Sequence, residues 1–101
     1  MTKHDNKLAS AELERLALLA AEMGETLRLV GKTLLYGYQY EPSSESESTS
    51  RALLAHHLGN VLYVIDLLCN SNDIDCADVR EQSQRYARTI GTFLNHQGAA
   101  S

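Results

Sequence analysis

Between Leu13 and Leu34 apolar residues recur at steps of three and four: Leu13, Leu16, Ala20, Met23, Leu27, Val30 and Leu34. An α-helix of 3.6 residues per turn gathers such positions on one side, so the spacing predicts one long amphipathic helix. A stripe of that length needs a partner surface. Ser10 is the expected N-cap, followed by Glu12 and Glu14, where the helix dipole favours negative charge. The helix is predicted to end near Tyr36 and Gly37.

Leu54, Leu58, Val61, Ile65 and Leu68 repeat the pattern after Ser50, a second candidate cap. Leu53, Leu62, Val64 and Leu67 widen this stripe, which places the second helix at the buried centre of an assembly. Asn70 to Asp75 reads as a turn, with Asp73 or Asp75 capping a third helix. On that helix Val79, Ser83, Tyr86, Ile90 and Phe93 share one face, while Arg80, Arg85 and Arg88 fall elsewhere. From Glu41 to Ser50 the sole apolar residue is Pro42, and this Ser/Glu stretch is expected to be a mobile, solvated connector. Residues 1–9 and 98–101 are expected to be flexible ends around a single helical domain at 10–97.

A chain of 101 residues makes one domain, and a domain this small buries only about 60 to 65% of the surface its unfolded chain exposes. The expectation is therefore an all-α bundle completed by oligomerisation, as a homodimer or homotetramer. The formal charge of −4 argues against a nucleic-acid polymer as partner, because tracking a phosphate backbone needs a basic surface. A free phosphorylated small molecule is compatible with it. Two cysteines, Cys69 and Cys76, are too few for a disulfide framework and are expected to be reduced thiols. Met1 to Lys7 is polar, and no apolar run is read as reaching the roughly 20 residues of a membrane span. No membrane partner and a cytoplasmic location are expected.

Beside the first apolar stripe runs a second line, Leu18, Glu22, Glu25, Leu29 and Lys32, which sets two carboxylates one turn apart. The second helix carries a matching line of Leu53, His57, Asn60, Val64 and Leu67. If the helices pair antiparallel, Glu22, Glu25, His57 and Asn60 line one pocket. Carboxylates so spaced suit a hard cation such as Mg²⁺, but glutamates are also ordinary solvated residues of a helix.

The segments LALLAAEMGETLRLVGKTLLYGY at 16–38 and LLAHHLGNVLYVIDLL at 53–68 resemble the MazG-like all-α nucleotide pyrophosphohydrolases. That family pairs an EExxE motif on one helix with an ExxD on the next. The resemblance implies an oligomeric helical bundle whose acids hold Mg²⁺ and split nucleoside triphosphates into monophosphate and pyrophosphate. Here the first motif reads Ala21-Glu22-Met23-Gly24-Glu25 and the second His57-Leu58-Gly59-Asn60, so two carboxylates remain of five. Glu22, Glu25 and Asn60 would be the metal ligands if Mg²⁺ is still bound. Imidazole suits transition metals better than Mg²⁺.

The resulting expectation is a degenerate member, plausibly encoded by a phage, that binds or sequesters a phosphorylated nucleotide without efficient hydrolysis and with no cofactor. Lys32, Arg85 and Arg88 would contact phosphate, and Tyr36 and Tyr38, with Tyr40 nearby, would stack on a base. Tyrosines that cap the core and solvated arginines are the competing reading. Two further readings stand: a Mg²⁺-dependent triphosphate pyrophosphohydrolase, and a helical protein-interaction module.

Overall fold

The computed structural model describes residues 5–42 and 48–97, and among them it holds three α-helices, a short 3-10 turn and no strand. Helix α1 spans Ser10–Tyr36, α2 spans Ser50–Asn70 and α3 spans Cys76–Ile90, continuing into the 3-10 turn Gly91–Phe93. The chain is all-α. The ends assigned to residues 1–4 and 98–101, and residues 43–47 of the expected connector, lie outside the described residues.

Each helix boundary has a local cause, and two of the three caps sit one residue from the position predicted. Ser10 is the first helical residue of α1, not its cap; Ala9 takes that place, and its N–H donates to the Glu12 carboxylate at 2.7 Å. Thr49, not Ser50, caps α2 by accepting the Ala52 N–H at 3.2 Å. Asp75 caps α3 through the Ala77 N–H at 2.9 Å. At the far end of α1, Gly37 adopts φ 90°, a conformation open to glycine, and its N–H closes on the Thr33 carbonyl.

Helices α1 and α2 pack along each other, whereas α3 meets α2 only slightly and α1 not at all among the described residues. The seam is formed by Leu29 and Val64, each 1% exposed, with Leu68 beside them. Burying each of these contributes about 1.5 to 3 kcal/mol. Thr26 and Thr33 of α1 are part-buried, and each donates its hydroxyl to the carbonyl four residues back, Glu22 and Leu29 respectively.

The stripe predicted to enter the core does not enter it within one chain. Leu27 is 71% and Leu34 82% exposed, and Leu13, Leu16, Met23 and Val30 are also exposed. The neighbouring line through Glu22, Leu29 and Thr33 faces α2 instead. The second helix is likewise not buried all round, for Leu58, Leu62 and Tyr63 lie open. No residue of α3 is buried, so the face through Val79, Tyr86 and Phe93 is uncovered too. By length and composition α2 is apolar enough to cross a membrane, which the sequence reading did not anticipate. Its His57 and Asn60 are nevertheless engaged by α1.

The α2–α3 turn is tied back to α1. Asp73 does not cap α3; its carboxylate receives two hydrogen bonds from the Arg15 guanidinium, at 2.6 and 2.8 Å, with both side chains mostly buried. This fork geometry is the strong form of the Arg–carboxylate contact. It holds the Asp73 carboxyl below its ordinary range. A carboxylate with a lowered folded-state pKa adds stability above its unfolded value of about 3.9, and that contribution vanishes as pH falls through the folded value. Replacing Arg15 with leucine is therefore expected to lower Tm at pH 7, with the difference from wild type shrinking in acid below the folded pKa of Asp73. Thermal melts across pH check this; equal melting temperatures at pH 7 would show that the tie contributes nothing.

Candidate functional site

The α1–α2 seam places a polar cluster at mid-height. Glu22 on α1 points at α2, where His57 and Asn60, one turn apart, converge on the same carboxylate oxygen. His57 Nδ1 lies 3.2 Å from Glu22 Oε2, and the Asn60 side-chain N–H donates to that atom at 3.2 Å. An ionised carboxylate only accepts, so Nδ1 must carry a hydrogen in this contact. The Glu22 and His57 side chains are about one-fifth exposed, which leaves the cluster reachable from solvent. The His57 hydrogen bond, followed by that of Asn60, holds Glu22 below the ordinary glutamate range against the opposing effect of burial.

Glu25 lies one turn further along but does not join the cluster. Its carboxylate is turned along its own helix to Arg28, 3.0 Å from the guanidinium, and this pairing lowers its pKa. A cation at this place would have to displace His57 and Asn60 from Glu22, and Arg28 from Glu25, before it met two carboxylate oxygens. Mg²⁺ prefers a larger set of hard oxygen donors, so the donors do not fit it in this arrangement. Among the described residues no group of three or more His, Cys, Asp or Glu is placed to hold a metal ion.

The remaining predicted residues divide between two places. Lys32 lies ten residues beyond Glu22, about 15 Å along the helix at 1.5 Å per residue. Its ammonium stands 5.9 Å from the centre of the Tyr36 ring, and Tyr36 in turn packs on Tyr40 with centroids 4.5 Å apart. Tyr38 is covered by the guanidinium of Arg51, 4.5 Å away. Arg51 is a member that the sequence reading missed. It is the only Lys or Arg of α2 and follows the capping residues directly, a position that could have drawn notice. The loop end of the hairpin thus gathers three phenol rings and two cations. The backbone fixes this gathering, since the Tyr38 and Tyr40 carbonyls accept the Arg51 and Ser50 N–H groups at 3.0 and 2.6 Å.

Arg85 and Arg88 are not brought to either place. Both are exposed on α3, which does not contact α1, and Arg85 pairs with Glu81 one turn back at 2.9 Å. Compared with protein-family models, curated proteins and solved structures, the chain matches none.

Glu22 supplies a direct test of the cluster. Its depressed pKa means that its contribution to stability is present above the unfolded glutamate value of about 4.3 and is lost as pH falls through the folded value. Carbon-detected NMR titration of Glu22 is expected to give a low midpoint in the wild type, raised by His57→Leu and raised less by Asn60→Leu. A midpoint that neither substitution moves would separate Glu22 from both partners.

Proposed function

We propose that this chain is a degenerate MazG-like nucleotide-binding protein, which holds or sequesters a phosphorylated nucleotide without efficient hydrolysis. The observation that carries the reading is the double engagement of Glu22 by His57 and Asn60. Where the resembled family places carboxylates on both helices, this chain satisfies Glu22 from the opposite helix and pairs Glu25 with Arg28. Removing negative charge from such a site also lowers its repulsion of phosphate.

The cationic and aromatic end of the hairpin supplies the ligand chemistry. Lys32 and Arg51 offer charge-assisted bonds to phosphate oxygens, and Tyr36, Tyr38 and Tyr40 offer rings for a base, with stacking contributing about 1 to 3 kcal/mol per base. Arg85 and Arg88 take no part in this reading from within one chain, because α3 holds them away from the hairpin.

A thermal-shift screen of linear and cyclic nucleotides, with and without Mg²⁺, tests the proposal, since a ligand that binds only the folded state raises Tm. Stabilisation by a nucleotide in the presence of a chelator is the expected result. Absence of any shift across the screen would leave a helical interaction module as the better account. Lys32→Ala is expected to weaken the identified nucleotide by about 1.5 to 3 kcal/mol while leaving Tm nearly unchanged. Full affinity in that variant would remove Lys32 from the site.

The missing acids can also be restored. Ala21→Glu, His57→Glu and Asn60→Asp together are expected to raise Mg²⁺ affinity and to create or increase pyrophosphate release. If the wild type already releases pyrophosphate from triphosphates at an ordinary enzymatic rate with Mg²⁺, the hydrolase reading replaces the present one.

A further inference from the structure

The end of α2 away from the tyrosines holds the chain's two cysteines. Cys69 lies in the last turn of α2 and is buried, whereas Cys76 is the first residue of α3 and is partly exposed; both are free thiols. Their separation in sequence matches no CxxC motif. The fold nevertheless brings them together, because the turn between them doubles back over the helix end. Asn72 takes φ 60°, a left-handed conformation that asparagine tolerates, and its N–H donates to the Cys69 carbonyl at 3.1 Å. The next N–H, that of Asp73, reaches the Leu68 carbonyl at 3.0 Å. Asp75 then caps α3, and both cysteines line one cavity beside Asn72, Asp73 and Ile74. We propose that Cys69 and Cys76 are a redox pair, closing into a disulfide that fastens the start of α3 to the end of α2.

The two side chains already touch. A hydrogen bond with Cys76, reinforced by burial, pushes the Cys69 thiol up. Side chains in contact lie within about 4.0 to 4.5 Å, and a disulfide sets its sulfurs about 2.05 Å apart, so the sulfurs have roughly 2 Å to close. A metal ion is a weaker account of the pair. A closed zinc site takes four ligands, and the carboxylates at this cavity are engaged elsewhere, Asp73 by Arg15 and Asp75 by the Ala77 N–H.

A small-molecule disulfide supplies the oxidising equivalents. Cys76, the more exposed, attacks first. Its thiolate sulfur bonds to one sulfur of the oxidant, whose own S–S bond breaks and releases one half as a thiolate. Cys69, held as a thiol by its neighbour and by burial, reacts second. Its sulfur gives up its proton to water, bonds to the Cys76 sulfur and expels the other half as a thiolate. Both cysteine sulfurs are then oxidised, and the small disulfide has been reduced to two thiols.

The bond acts where packing is thinnest. Among the described residues α3 meets the hairpin only slightly and through α2 alone, and none of its residues is buried. A covalent link at its first residue restrains the direction in which it leaves the turn, and closing the loop from Cys69 to Cys76 also removes freedom from the unfolded chain. Arg51 and the tyrosines stand at the far end of α2, so the pair does not depend on what binds there.

The test incubates the full reduced chain with oxidised glutathione, quenches with acid, counts thiols in denaturant and weighs the products by mass spectrometry. Wild type, Cys69→Ser and Cys76→Ser are compared. Wild type is expected to lose both thiols together, to become lighter by two hydrogens while staying a single covalent chain, and to melt at a higher temperature once oxidised. Cys69→Ser is expected to stop at a mixed disulfide on Cys76, and Cys76→Ser to react roughly tenfold more slowly or less, because its remaining thiol is buried. Wild type that stops at a glutathione adduct, links two chains or keeps both thiols in excess oxidant overturns the proposal. So does an oxidised chain that melts no higher than the reduced one. Zinc bound by the reduced chain at one ion per chain, with both thiols protected from the oxidant, would assign the pair to a metal instead. The wild-type readouts decide the matter even where a variant fails to fold.

Discussion

The structure depends on a narrow seam in which α1 and α2 meet through three fully apolar contacts and one polar cluster. Leu29, Val64 and Leu68 are buried, and the Glu22 carboxylate is part-buried with them. Burying Glu22 is tolerable because two donors on the opposite helix meet its oxygen, and a part-buried acid without partners would instead oppose packing. The cluster therefore sets the register of the hairpin as well as its chemistry. A shift of α2 by one turn would carry His57 and Asn60 away from Glu22 and leave all three groups unsatisfied. The same register brings Arg15 to Asp73 at one end, and Arg51 to Tyr38 at the other.

The seam shows how a part-buried carboxylate is satisfied without a cation. Glu22 of α1 faces His57 and Asn60 of α2, whose three-residue spacing brings both to its carboxylate. An imidazole and an amide opposite a carboxylate give hydrogen bonding that needs no cation, where further carboxylates would repel it. Glu25 pairs with Arg28 on its own helix. At the loop end Lys32 and Arg51 lie against tyrosine rings, the positive charge that the proposed ligand would meet.

Helix positions were legible in the sequence because three-and-four periodicity and turn residues are local signals. The end of α1 at Tyr36 and Gly37 follows from them directly, the third cap is one of the two aspartates they offered, Asp75 and not Asp73, and the caps at Ala9 and Thr49 differ from Ser10 and Ser50 by one residue. The cluster of Glu22, His57 and Asn60 was legible as well, since an antiparallel pair of helices brings equal spacings together. Which stripe faces the partner helix was not. Hydrophobicity favours the line through Leu27 and Leu34 for any interior, but periodicity carries no information on whether that interior lies within one chain or between two. The placement of Arg85 and Arg88 failed for a related reason, because no residue pattern specifies how α3 leaves the turn after Asn70. Arg51 escaped notice because its partner, Tyr38, lies across the connector and not along a helix.

The proposal turns on Glu22 being held by His57 and Asn60 and not by a cation. Titrating the wild-type protein with Mg²⁺ while following the side-chain carboxyl carbons of Glu22 and Glu25 by NMR examines it at the atoms concerned. The account predicts no saturable shift of either carbon at millimolar Mg²⁺, with the Glu22 signal changed only by substitution of His57 or Asn60. Saturation of both signals at sub-millimolar Mg²⁺ would show a working metal site and contradict it.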